Sequence, residues 1–127
     1  MSSMPVVTDI KIKQKSCLLV ASFNTGEVFE YSFEYLRVFS PSAEVTGHTP
    51  DQAVLQLNKQ KVNIEGIVPV GNYAIQIHFN DGHNSGIYSW DTLYSLGKNY
   101  QTNWQDYLAK VAKIAQSKVE NKQGQTP

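Results

Sequence analysis

Residues 71–82 read GNYAIQIHFNDG, and no other stretch restricts the fold of this chain as much. Gly71-Asn72 and Asp81-Gly82 are turn dipeptides of the kind that join antiparallel strands, since glycine reaches positive φ without a Cβ clash. Between them the side chains alternate. Ile75, Ile77 and Phe79 fall on one side; Ala74, Gln76 and His78 fall on the other. A period of two is that of a half-buried strand. A strand closed by a turn at each end needs a partner on each side. VNIEGIVPV precedes it and SGIY, a short stub, follows. The unit expected is an antiparallel sheet built from hairpins.

The N-terminal third shows the same period. Ile10 and Ile12 alternate with lysines in TDIKIKQK, and SCLLVASF is more apolar. NTGE supplies a turn at Gly26, and VFEYSF puts Phe29, Tyr31 and Phe33 on one side. QAVLQL reads as a further strand. EYLRVFSPSAEVTGHTPDQ breaks the alternation. One helical turn fits 34–38, after which Pro41, Gly47 and Pro50 exclude a long regular element. A loop of that length in a compact domain is often functional.

Two helices close the domain. Ser89 is placed to cap SWDTLYSLG, with Asp91 favourable to the helix dipole and Gly97 as the stop. Asn103 is the expected cap of the second helix. There Trp104, Tyr107, Leu108, Val111, Ala112 and Ala115 form an amphipathic stripe, with Lys110 and Lys113 on the wet side. The fold class is α+β, a single domain over residues 1–116. A polar tail, 117–127, is expected to be disordered.

A length of 127 residues suits one domain that folds without disulfides or metals. Eleven basic and eleven acidic residues give zero net charge, and Arg37 is the one arginine. With no long-range positive field and a single bidentate donor, nucleic acid is not an expected partner. Cys17, the one cysteine, cannot form an intrachain disulfide or a thiolate cage, and reads as a small buried apolar residue. No stretch has the length of a membrane span and no leader is recognisable, so a cytoplasmic location is expected.

The candidate chemistry gathers at two places, the long loop and the DGH turn. His83 reads either as a turn residue, exposed at the surface or bonded to nearby backbone, or as a metal ligand or polar anchor. With Asp81 and His48 it has the donor types of a transition-metal site, but not the spacing of a helical ligand pair. Arg37 and Glu44 flank SPSA; they read as an ion pair pinning the loop, or as a guanidinium offered to a partner's carboxylate. Ser40 and Ser42 offer hydroxyls, but no G-x-S-x-G elbow surrounds them. No phosphate-cradling glycine loop is present. Tyr88, Trp90, Tyr94 and Trp104 read as core aromatics.

EYLRVFSPSAEVTGH, VPVGNYAIQIHFNDGH and SGIYSWDTLYSLG, in this order, carry a resemblance. The chain resembles the family named for the N-terminal domain of gamma-butyrobetaine hydroxylase, above all its small stand-alone bacterial members of unknown function. The likeness runs over roughly residues 5 to 115. It implies an α+β domain on antiparallel sheet. It does not imply the hydroxylase activity, whose chemistry lies in a separate iron-dependent domain. Fusions of related domains to iron–sulfur carrier ATPases imply an accessory role near metal-cofactor metabolism.

The resemblance also implies where a structural zinc would lie. The hydroxylase domain holds it with a C-P-C-x-x-C run and one histidine. Laid on this chain, those cysteine positions are Ser40, Ser42 and Val45, and the histidine is His83. Hydroxyls are poor zinc donors and valine donates nothing, so no cofactor is expected. The expected function is a non-catalytic adaptor that binds another protein through Arg37, Ser40, Ser42, Glu44, His48, Asp81 and His83. The alternative is weak metal binding or delivery by His48, His83 and Asp81.

Overall fold

The computed structural model describes residues 4–46 and 55–125, and their side chains except Glu44 and residues 116–125. Among the described residues, six strands and four helices fall in two halves, each with three strands followed by two helices. The first half holds β1 (Val7–Lys13), β2 (Leu18–Phe23), β3 (Val28–Ser32), α1 (Phe33–Val38) and α2 (Ala43–Thr46). The second holds β4 (Ile64–Val70), β5 (Ala74–Phe79), β6 (Ile87–Ser89), α3 (Trp90–Lys98) and α4 (Tyr100–Gln125). The strands form two antiparallel three-stranded sheets, ordered β1-β2-β3 and β4-β5-β6.

The alternating patterns become the inner faces. On β5, Ile75, Ile77 and Phe79 are buried, as the period requires. Across the ladder Ile67 faces Ile77, Ile64 faces Phe79, and Ile75 faces Tyr88 of β6. The other sheet contributes Leu19, Ala21, Phe23 and Tyr31, and all of these belong to one core with Phe33, Tyr35 and Leu36 of α1 and Leu93 and Leu96 of α3. Pro69 lies on β4, an edge strand, where its missing N–H costs no interior ladder bond.

Gly71 and Gly82 have φ of +55° and +89°, the left-handed conformation that the turn dipeptides call for. The first closes a tight turn, with Tyr73 N–H donating to the Val70 carbonyl. The second does not lead straight into a strand. After Gly82 N–H reaches the Phe79 carbonyl, the chain runs on through 83–86 before β6. That detour carries His83 back over β5, where Phe79 N–H donates to the His83 carbonyl.

Several local expectations are corrected. Residues 55–57 of QAVLQL form no strand, and 52–54 lie outside the described residues. Cys17 is exposed, not buried, because it ends the tight turn between β1 and β2 with φ of 55°. Ser89 does cap α3, accepting from Thr92 N–H, but the helix runs through Gly97 to Lys98 and ends at Asn99. Asn103 is inside α4, where its amide donates to Tyr35 Oη at 3.1 Å. On α4, Trp104 and Tyr107 face the body while Leu108, Ala112 and Ala115 are exposed. The helix continues through the polar segment after Ser117 to Gln125.

Buried tyrosines tie the helices to the sheets. Tyr31 Oη donates to the Leu93 carbonyl at 2.6 Å and Tyr35 Oη to that of Leu96 at 2.7 Å. Tyr88 Oη donates to the Leu36 carbonyl of α1. Each phenol buries a large apolar body while its hydroxyl donates to a helix carbonyl.

Candidate functional site

The loop after α1 and the turn after β5 meet. Ser40 Oγ lies 2.8 Å from His83 Nε2, and both residues are buried, 1% and 4% exposed. Ser42 Oγ lies 2.7 Å from Ser85 Oγ. Ser42 N–H donates to Ser40 Oγ at 3.2 Å, closing the SPS bend on itself. Below them Gly86 makes room. A Cβ built there would stand 2.4 Å from Ser40 Oγ, closer than any real contact, so only glycine admits the hydroxyl.

Asp81 is the second node. Its Oδ2 accepts from Arg37 Nε and from Lys59 Nζ, each at 2.9 Å, while Oδ1 accepts from His83 N–H at 3.2 Å. Burial pushes the Asp81 carboxyl up, but the Lys59, His83 N–H and Arg37 bonds together with the Arg37 charge outweigh it and hold it at about 2. Arg37 is 7% exposed, and its Nη1 is buried without a hydrogen-bond partner among the described residues. Its long stem packs inside, and its Nε–H alone meets one oxygen of the Asp81 carboxylate.

Arg37, Ser40, Ser42, Asp81 and His83 thus come together, but chiefly inside the molecule and not on its surface. Arg37 pairs with Asp81, where the sequence reading paired it with Glu44. His48 lies outside the described residues, and nothing is described of the Glu44 side chain. Among the described residues no group of three or more His, Cys, Asp or Glu side chains gathers. Ser40 and His83 stand at the distance of a nucleophile and its base. The nearby carboxylate, however, takes the His83 backbone N–H and two cations, which is not the arrangement that orients an imidazole for base catalysis.

Beside this junction lies a groove of about 420 Å³. Val38, Phe39 and Val45 form one wall, Tyr107 of α4 another, and Leu55 closes it; Ser40 reaches it from the junction. Asp106 and Lys110 sit on the rim, 3.1 Å apart as an ion pair one helical turn long. Tyr107 Oη donates to the Gln56 carbonyl at 2.6 Å and stacks on Trp104, which fixes that wall. Sequence reasoning missed Lys59, Ser85, Gly86 and the groove. Only Gly86 left a trace, as a glycine without a turn partner just before a strand.

The model of the gamma-butyrobetaine hydroxylase-like, N-terminal family matches residues 10–94. Two structures solved by NMR in solution are similar. One is 48% identical, covering 91% of this chain and 86% of its own, with a TM-score of 0.77. The other is 38% identical, covering 89% of each chain, with a TM-score of 0.76. A crystal structure from Acidithiobacillus ferrooxidans ATCC 23270, a protein of unknown function of the DUF971 family, is 33% identical over 72% of this chain and 91% of its own, with a TM-score of 0.61. No curated protein matches.

Proposed function

This chain belongs to the gamma-butyrobetaine hydroxylase-like, N-terminal family, and on that premise we propose that it is a non-catalytic accessory domain that binds another protein. The observation that carries the reading is the groove between the SPSA loop and α4. It has apolar walls of Val38, Phe39, Val45, Leu55 and Tyr107, and a charged rim of Asp106 and Lys110. An apolar cleft rimmed by charge suits the side chains of a partner's segment, which gain by leaving water. The buried junction behind it serves this function indirectly. Arg37, Ser40, Ser42, Asp81 and His83 hold the loop against the sheet, so the wall they support is formed before a partner arrives.

The test compares captures by three immobilised proteins: the wild type, a Leu55→Glu and Lys110→Glu double variant, and Lys11→Glu on β1 as a remote control. Thermal melts first establish that all three fold. The proposal expects a protein retained by wild type and control and lost from the groove variant. A set of captured proteins identical for all three would contradict it.

A further inference from the structure

We propose that the outer edge of β1, over residues 9–13, docks an extended segment of a partner protein, which adds to the sheet as a strand and alternates acidic with apolar side chains. This edge shares no residue with the groove. β1 ends its sheet, with β2 on one side only. Among the described residues no backbone hydrogen bond outside that ladder reaches 9–13. One row of N–H and C=O groups therefore faces away from the sheet, a template for a further strand. The other edges are blunted. β4 carries Pro69 and a register shift between Ile64 and Gly66, and β6 has three residues. β3 packs on α3, with Gly97 against the Phe29 ring. On β1 the register shift lies between Val7 and Asp9, which leaves 9–13 in unbroken register with β2.

The side chains set which segment fits. Ile10 and Ile12 are half-buried at the margin of the core, while Asp9, Lys11 and Lys13 are exposed on the opposite face. Their neighbours on β2 are Ser22, Val20 and Leu18, which bring no charge. An added strand with acids opposite Lys11 and Lys13 pairs both charges across the ladder. Apolar residues between those acids cover Ile10 and Ile12, and a base opposite Asp9 completes the pattern. A second copy of the chain fits worse. Antiparallel pairing of 9–13 with itself joins Asp9 to Lys13 but sets Lys11 against Lys11, and centring the pair on Ile12 sets Lys11 against Lys13. Lysines on an edge discourage such self-pairing, and the same charges attract an acidic strand.

The test titrates the full-length ¹⁵N-labelled chain with the capped peptide Glu-Val-Glu-Val-Lys, and separately with the same residues as Glu-Glu-Lys-Val-Val. The proposal expects the alternating peptide to shift the backbone amides of 9–13 and slow their hydrogen exchange, and the reordered peptide to do neither. The double variant Lys11→Glu with Lys13→Glu, its fold checked by thermal melt, should bind the alternating peptide about tenfold more weakly, as two cross-strand pairs turn from attraction to repulsion. It should bind Lys-Val-Lys-Val-Lys in its place, and the groove's partner should stay bound to it. Equal binding of both peptide orders would reduce the edge to a non-specific cationic surface and overturn the proposal. Shifts at 9–13 that grow with protein concentration in the absence of peptide would assign the edge to a second copy and overturn it too.

Discussion

At the scale of the residue, the site is governed by polar atoms that lost water and found specific partners. Gly86 shows how narrow the tolerance is. Gly86→Ala drives a methyl group into the Ser40 hydroxyl, and overpacking of this kind costs about 1–3 kcal/mol. Thermal melts should show that loss, and a variant as stable as wild type would mean that the bend has room to move. Asp81 gives a pH signature. Its carboxyl is held at about 2 against an ordinary 3.8. A depressed folded-state value contributes stability above the unfolded value and loses it as the pH falls. Stability should therefore drop between pH 3.8 and about 2, and Asp81→Asn should flatten that limb in denaturant titrations. An unchanged acid limb would place its origin elsewhere. Little of this was legible in sequence. Arg37 and Asp81 are 44 positions apart, and no periodicity predicts a pair across that distance. Ser40, Ser42 and His83 came together through the family resemblance, not through any spacing rule.

Elements were easier to read than their ends. The strands were visible because a half-buried strand must alternate, and Ile75, Ile77 and Phe79 do. Ser89 was visible because its hydroxyl caps an orphan N–H directly. Gly97 misled because a glycine near a helix end resembles a stop. Its reason is tertiary: a Cβ there would lie 2.5 Å from the Phe29 ring. Two effects oppose each other in Gly97→Ala. Helix propensity gains about 1 kcal/mol, while the clash costs about 1–3 kcal/mol. The substitution should lower the melting temperature in the wild type and raise it in a Phe29→Ala background. A gain in both backgrounds would show that α3 can step away from β3. Asn103 misled in the same way. It has the chemistry of a cap, but it spends its amide on Tyr35 from within α4.

At the scale of the molecule, two small sheets become one body because α1 and α3 share their core and three buried tyrosines lock it. The antiparallel α+β architecture was legible from turn dipeptides and alternation. The groove was not, since its walls come from α1, α2, residue 55 and α4, brought together by packing alone. The account rests on one bond across this body, Ser40 to His83, which joins the first half of the chain to the second. A double-mutant cycle with Ser40→Ala, His83→Ala and the pair, followed by denaturant unfolding, measures it directly. Each single variant strips a buried polar atom of one hydrogen-bond partner and should lose about 0.5–3 kcal/mol. The pair should lose less than the sum, by about 0.5–3 kcal/mol, as contacting residues do. Strict additivity would contradict the account.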